Sequence, residues 1–459
     1  MTSLVAEVED NSVSSVSADV EETLDDKKED SDPYEPPTAE CAFQGHEDSA
    51  SQRPISINNI EAIPNGGVQA WLQVVGSFFV MFNTWGVINT FGVFQTYYET
   101  ELLPSSTPSA ISWVGSLQAF LLLFLGAFAG PIYDAGYFRE LMAAGSILIV
   151  FGTMMLSICK EYWQVLLAQG FCIGIGTGCT FVPGVAILST YFTTKMATAM
   201  GIAAAGSSLG GVIYPILFHK LIPQVGFPWA ARVMGFTLLA TVVVTNLVMK
   251  VRVLPASRRK IIDRLAFRDP PFVLFVLGAF LAFMGLYAPF YYIQLYSIEL
   301  NITGGDLTFY LLSIINAASV FGRVIPNFIA DRTGPFNMMI PCAIFTGILA
   351  LCLIPIRSIA PLIMFCLLYG FFSGAFVSLP PTILVHLSPS RGIVGTRMGM
   401  CFAIVSIGLL IGTPIGGAIV RASGFWSIWL YSGLLCVCGG ALITAARVFK
   451  AGWRILKMV

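Results

Sequence analysis

The chain has 459 residues, of which 56% are hydrophobic and 11% charged, with a formal net charge of −1 and a mean hydropathy of +0.78. A water-soluble domain carries roughly a quarter of its residues as charges, so the composition excludes a soluble enzyme or a nucleic-acid-binding module and leaves a chain embedded in lipid. The near-zero total hides a segregation: residues 1–65 hold 16 acidic and three basic residues, a net −13, and the remainder holds 10 acidic and 22 basic ones, a net +12.

The first 65 residues are rich in Ser, Asp, Glu and Pro and cannot bury enough apolar surface to fold, so a disordered acidic tail is expected there. No early apolar run marks a signal peptide. Beyond it, a bilayer core needs about 20 apolar residues per helix. Twelve spans meet that need: 71–98, 109–131, 138–159, 163–188, 196–217, 229–250, 271–298, 307–330, 336–355, 359–385, 394–420 and 425–447. The basic stretch 251–270 joins the sixth span to the seventh. The expected organisation is a tail (1–65), a six-helix half (66–250), a linker (251–270) and a second six-helix half with a short tail (271–459). Nine cysteines fall within or beside apolar runs and lack metal-ligand spacing, so they are taken as small apolar helix residues.

The second half echoes the first. Gly86, Phe91 and Tyr97 recur as Gly285, Phe290 and Tyr296, Gly170 and Gly174 as Gly370 and Gly374, Met200-Gly201 as Met398-Gly399, and Asp134 as Asp331. The offset stays near two hundred residues throughout. A duplicated bundle of membrane helices with a site between its halves is the architecture of a secondary transporter.

Basic residues set an expected orientation. With the N-terminus in the cytoplasm, 16 Lys and Arg fall in cytoplasmic loops and the C-terminal tail. Only Lys160, Lys220, Arg357 and Arg421 fall on the other side. The positive-inside rule therefore places both termini in the cytoplasm. The Arg/Lys cluster of 251–270 sets topology and could also meet anionic lipid. Asn301-Ile302-Thr303 is a glycosylation sequon in an outward loop.

Several motifs now carry a resemblance. Gly66-Gly67-Val68-Gln69-Ala70-Trp71 leads into the first span, which ends Phe91-Gly92-Val93-Phe94-Gln95-Thr96-Tyr97-Tyr98. The second closes Gly130-Pro131-Ile132-Tyr133-Asp134-Ala135-Gly136-Tyr137-Phe138-Arg139. The fifth opens with Tyr191-Phe192 and runs on through Ala199–Gly211, and the eighth holds Gly322-Arg323 and ends Ala330-Asp331-Arg332. Together these resemble the monocarboxylate-porter branch of the major facilitator superfamily in its fungal form, over residues 65–450. The resemblance implies an all-α membrane fold of twelve helices in two pseudo-repeats. It departs from the family pattern at Asn65, where Asp is usual. Animal lactate carriers have a Lys where this chain has Asn89 and an Asp where it has Ser319, which argues against proton–lactate symport.

Arg323 is the sharpest candidate for substrate binding, because a guanidinium inside an apolar span is costly and can hold a carboxylate through two parallel hydrogen bonds. A structural brace for the gate is the alternative. Asn83, Asn89, Gln118, Tyr291, Tyr292 and Asn316, with Thr180 and Gln294, are candidate cavity polar groups, each also able to serve as an interhelical bond. Trp85, Phe181, Tyr287 and Phe376 are candidates to shape an apolar pocket. Asp134 with Arg139 and Asp331 with Arg332 mark expected gates. No carboxylate lies mid-span, so protons as a second partner travel on the substrate, through Glu99 or Glu299, or not at all. No cofactor is implied.

The expected function is alternating-access transport of a small organic molecule, an organic anion or secondary metabolite, with efflux favoured. Proton-linked uptake of a monocarboxylate or vitamin is the alternative, and a non-transporting receptor-like homologue a reading of another class. Nothing resembles a channel filter or an enzyme motif. The orientation is checked with single cysteines at positions 258 and 301 in a background without the native ones. An impermeant reagent applied to intact cells labels 301 and spares 258; the reverse pattern overturns the topology.

Overall fold

The computed structural model describes residues 55–56, 64–254, 262–304, 306–389 and 391–452. The expected acidic tail lies outside the described residues, apart from Ile55–Ser56 and the last residues before the first helix. Eleven helices among the described residues are long and apolar enough to cross a bilayer. One of them, Met196–Val248, has 53 residues. Straight, it would be about 80 Å long, more than twice the hydrocarbon thickness. It breaks at Gly226 (φ 73), a left-handed position that favours glycine, between Pro223 and Pro228. Its two arms make the twelfth span, so the expected twelve helices are present.

In chain order these are α1 (Val68–Leu102), α2 (Pro108–Asp134), α3 (Phe138–Leu156), α4 (Tyr162–Thr190), α5 and α6 (the arms of Met196–Val248), α7 (Pro270–Glu299), α8 (Asp306–Thr333), α9 (Pro335–Cys352), α10 (Ile359–Leu387), α11 (Arg391–Ser423) and α12 (Phe425–Ala451). Two short strands, β1 (Ile55–Ser56) and β2 (Val253–Leu254), pair in parallel with Ile55 opposite Val253. The turns α2–α3 and α8–α9 pass through Gly136 (φ 97) and Gly334 (φ 93). The end of the bundle carrying these turns is called here the even-turn end, and the end carrying α1–α2 and α7–α8 the odd-turn end.

Helices α1, α2, α3 and α4 pack with one another and with α5 and α6; α7 packs on α11 and α12, α8 on α10, and α9 on α12. The two groups meet chiefly along α2–α11 and α5–α8. Lipid tails are as apolar as leucine, so these helices are held by close packing rather than by a hydrophobic drive. A Cβ on Gly206 would strike the Phe78 carbonyl, one on Gly370 the Ile315 carbonyl, one on Gly322 the Phe371 carbonyl, and one on Gly412 the Met284 carbonyl.

Several helices are broken, and the freed backbone groups find partners. Pro289 in α7 has no N–H for the Gly285 carbonyl four residues back. Ser432 of α12 donates to that oxygen at 2.8 Å, and Tyr369 of α10 donates to the neighbouring Leu286 carbonyl at 2.7 Å. In α10 the helix Ile359–Ser378 gives way to Pro380–Leu387 at the tandem Pro380-Pro381.

Gly206→Ala places its methyl against the α1 backbone. It is expected to cost about 1–3 kcal/mol and to lower the melting temperature of the detergent-solubilised protein. Gly66→Ala, with open space around it, leaves the melting temperature unchanged.

Candidate functional site

Between the two helix groups, nearer the even-turn end, lies a narrow cavity with about 40 Å³ of open space. Met81 and Trp85 of α1, Phe181 of α4, Met200 of α5, Phe283 of α7, and Cys401 and Phe402 of α11 form much of its wall. Pro380 and Pro381 place the break of α10 at its edge. Among the described residues lining it, Arg323 carries the only charge. This guanidinium is 3% exposed. Its Nη1 donates to the Ala204 carbonyl at 3.5 Å, a long contact, and its Nε has no hydrogen-bond partner among the described residues. An unsatisfied cation in such a wall costs several kcal/mol unless something accepts its protons.

The position one turn before Arg323 is Ser319, whose hydroxyl donates to Ser208 of α5 at 2.6 Å. It thus joins α8 to α5 and supplies no counter-charge. On the next turn Asn327 donates to the Ser378 hydroxyl of α10 at 2.6 Å.

Toward the odd-turn end the cavity is sealed. Trp85 and Tyr287 stack across α1–α7 with centroids 6.1 Å apart, and Phe91 lies against Tyr291 at 5.0 Å. Above them Thr96 donates to Gln294 at 3.2 Å, and Gln294 donates to the Phe309 carbonyl at 3.0 Å. Tyr292 donates to the Thr413 carbonyl at 3.2 Å, and the Ser116 and Thr413 hydroxyls join α2 to α11.

Toward the even-turn end a carboxylate bridges the α5–α8 seam, where the sequence pattern predicts a gate or latch. Asp331, at the end of α8, accepts the backbone N–H of Ala197 (3.1 Å) and Thr198 (3.0 Å) and the Thr198 hydroxyl (2.6 Å). A carboxylate here satisfies two orphan amides of α5 and meets the positive end of its dipole. Asp134, the repeat partner, is buried at the end of α2. Thr198-Ala199-Met200-Gly201 at the start of α5 recurs as Thr396-Arg397-Met398-Gly399 in α11. Arg139 is exposed, and Arg332 sits over the Phe328 ring at 5.2 Å.

Of the candidate binding residues, Arg323 lines the cavity, with Trp85 and Phe181 from the aromatic set. The others lie elsewhere. Asn83 accepts from Thr241 at 2.7 Å and from Tyr214 at 3.5 Å, tying α1 to α5 and α6. Asn89 donates to the Ser207 carbonyl at 3.5 Å. Asn316 donates within its own helix to Leu312 and packs on Gly211. Tyr291 and Tyr292 belong to the seal. Gln118 is fully buried in α2, and neither of its side-chain polar atoms has a partner among the described residues. Thr180 bonds back to its own helix, and Phe376 stands behind Phe283 at 5.3 Å. Asn301 is exposed at the odd-turn end with φ 50. Glu99 receives a bond from Gln95 near the α1–α2 turn and does not line the cavity. The sequence reading missed Met81, Met200, Phe283, Cys401, Phe402 and the Pro380-Pro381 break.

A model of the Major Facilitator Superfamily matches residues 74–394. The chain belongs to this superfamily. It is 49% identical over 403 residues to the MFS-type transporter dbaD of Emericella nidulans, covering 87% of this chain and 91% of the relative. It is 39% identical over 402 residues to the fujikurins efflux protein of Gibberella fujikuroi, covering 86% of each. It is 36% identical over 409 residues to the aspyridones efflux protein apdF of Emericella nidulans, covering 89% of this chain and 83% of the relative. The crystal structure of the human organic anion transporter MFSD10 (TETRAN) superposes with a TM-score of 0.64 at 13% identity, over 82% of this chain and 100% of that one, which shows the shared fold. The protein is a multi-pass membrane transporter of a small molecule.

Asp331→Asn keeps the shape of the latch and removes its charge. A carboxylate at a helix N-terminus contributes roughly 0.3–1 kcal/mol, up to about 2 when partly buried, so the balance of conformers shifts several-fold toward the state open at the even-turn end. A cysteine at position 204 is expected to react faster with reagent from that side, and turnover to slow with little change in apparent affinity. Wild-type reactivity and turnover together would remove the latch role.

Proposed function

We propose that this transporter exports a secondary metabolite with an apolar body and one acidic group. The observation that carries the proposal is the lone guanidinium of Arg323 in an otherwise apolar and aromatic wall. A carboxylate or acidic enol delivered by the substrate satisfies the free Nε–H and replaces the long contact to Ala204. The Trp85, Phe181 and Phe402 surfaces take the apolar body. The relatives named as efflux proteins for fujikurins and aspyridones support the direction and the substrate class.

The working cycle is a rocking of two six-helix halves, 66–250 and 271–459, about the cavity. The glycine-lined seams α2–α11 and α5–α8 are the surfaces that slide. The aromatic seal of α1–α7 closes one end, and the Asp331 latch, with Asp134 as its repeat partner, closes the other. In this reading the even-turn end and both termini are cytoplasmic. A substrate anion enters there when the latch opens and leaves when the α1–α7 seal parts. The chain sits in the monocarboxylate-porter branch, with the lactate-carrier charges replaced at Asn89 and Ser319. The cavity lining includes no carboxylate among the described residues, so a coupled proton travels on the substrate or through a group outside the cavity.

Counterflow in proteoliposomes, run with an acidic metabolite and its neutral ester, tests the binding role. A charge-assisted hydrogen bond contributes about 1.5–3 kcal/mol, so Arg323→Ala is expected to weaken transport of the acid by roughly ten- to a hundredfold and to spare the ester. Arg323→Lys retains the charge without the planar fork and falls between. Equal losses for acid and ester in well-folded protein would assign Arg323 to bracing the gate instead.

A further inference from the structure

The linker between the halves has a sidedness that transport does not require. Residues 264–268 form a short 3-10 turn (Arg264–Arg268) just before α7. Both acidic residues flanking the turn are held by one arginine, with the Asp263 side chain 13% exposed and that of Asp269 31%. Arg397 of α11, 3% exposed, donates from Nε to Asp263 at 3.2 Å and from Nη1 to Asp269 at 2.6 Å. The same Nη1 donates to the Leu387 carbonyl of α10 at 2.7 Å, and the guanidinium lies 5.1 Å from the Phe272 ring. Asp263 also accepts the Leu265 N–H at 3.0 Å, and Ala266 is fully buried.

The outer face is therefore left without an acid of its own. It presents Ile262 (57% exposed), Leu265 (71%) and Phe267 (59%) beside the exposed Arg264 and Arg268. Large apolar side chains alternating with arginine, two to eight residues before a membrane span, match the boundary between headgroups and acyl chains. In open water the same three apolar groups would be a cost without a return.

We propose that Ile262–Arg268 is an interfacial anchor. Leu265 and Phe267 enter the acyl boundary of the leaflet at the even-turn end, and Arg264 and Arg268 bind anionic phospholipid headgroups. The occupant is the bilayer surface, chosen by charge complementarity: a cationic face beside a span is drawn to an anionic leaflet by about 1 kcal/mol, or roughly fivefold, per Arg. Arg397 gives the anchor its orientation, because it pins both acids and so removes their repulsion from the headgroups. It also fixes the anchor to the start of α11 and the end of α10, so the charge of the leaflet bears directly on the helices that border the cavity. This assignment places the even-turn end against the anionic leaflet, a placement that cysteine labelling tests separately.

The experiment is hydrogen exchange of the full chain in nanodiscs of neutral phosphatidylcholine and in discs containing phosphatidylserine. Amides of 264–269 are expected to exchange up to about 25-fold more slowly in the anionic discs, given roughly fivefold for each of the two Arg. Arg264→Gln/Arg268→Gln abolishes the difference between the discs, and Leu265→Ser/Phe267→Ser speeds exchange in both. Unchanged protection across 272–283 marks either variant as folded. Equal exchange of the wild type in the two discs overturns the proposal without recourse to any variant. Inorganic phosphate added to neutral discs is expected to have no effect. Protection by phosphate equal to that by phosphatidylserine would replace the membrane anchor with a soluble-anion site.

Discussion

Backbone meets backbone at the glycines of this bundle, and the rest of the structure is built on those approaches. At Gly201 an added methyl would lie against the Arg323 carbonyl, and at Gly211 against the Asn316 side chain. These two contacts bring α5 so close to α8 that Arg323 has the Ala204 carbonyl as its neighbour. At Gly92 the obstacle is the Phe290 carbonyl, which lets α1 and α7 come together under the aromatic seal. Small residues on a seam offer few interlocked side chains to disengage. Such a surface can therefore separate and re-form at one end while remaining packed at the other.

The polar groups divide the labour along the bundle axis. In the seal between the helix groups at the odd-turn end the contacts are neutral: Thr96 with Gln294, Ser116 with Thr413, Tyr292 with a carbonyl. At the even-turn end they are ionic, with Asp331 on the α5 amides and Arg397 on Asp263 and Asp269. Neutral hydroxyl and amide contacts contribute about 1 kcal/mol each and can be exchanged for water as a seal opens. Charged contacts at an aqueous surface depend on pairing and on local charge, so they offer the end at which pH, salt and lipid can act. The apolar cavity lies between these two regimes.

Much of the fold was legible because lipid imposes length and hydropathy on every span. The 53-residue helix also declared its break, through Pro223, Gly226 and Pro228. The candidate cavity was less legible. Asn83 and Asn316 looked like lining residues because a buried amide needs a partner, but Thr241 and Tyr214 donate to the Asn83 oxygen and the Leu312 carbonyl accepts from Asn316, while the Asn83 nitrogen and the Asn316 oxygen have no partner among the described residues. Met200, Phe283 and Phe402 went unseen because, in an apolar span, a side chain facing a cavity has the same character as one facing lipid. Arg323 was visible for the opposite reason: no lipid-facing position tolerates it. The sidedness of the linker was hidden because Asp263 and Asp269 and their partner Arg397 are more than 120 residues apart in sequence.

Ser319 completes the account of the cavity. An acid one turn before Arg323 would occupy the guanidinium permanently, and a substrate anion would have to displace it or share it. The Ser319 hydroxyl donates instead to Ser208, a link from α8 to α5 that is neutral at this level of the bundle. The guanidinium keeps its capacity for an external acceptor, at the expense of burying a poorly satisfied cation when the cavity is empty. An empty carrier is thereby destabilised relative to a loaded one, and the difference is greatest when the cavity is closed to water. Because a conformational change is driven only by differential interaction with its two states, an anion that satisfies Arg323 favours passage through the closed form. A neutral molecule of the same shape does not. In the proposed export cycle, selectivity for an acid then arises from the barrier to rocking as well as from affinity for the open cavity.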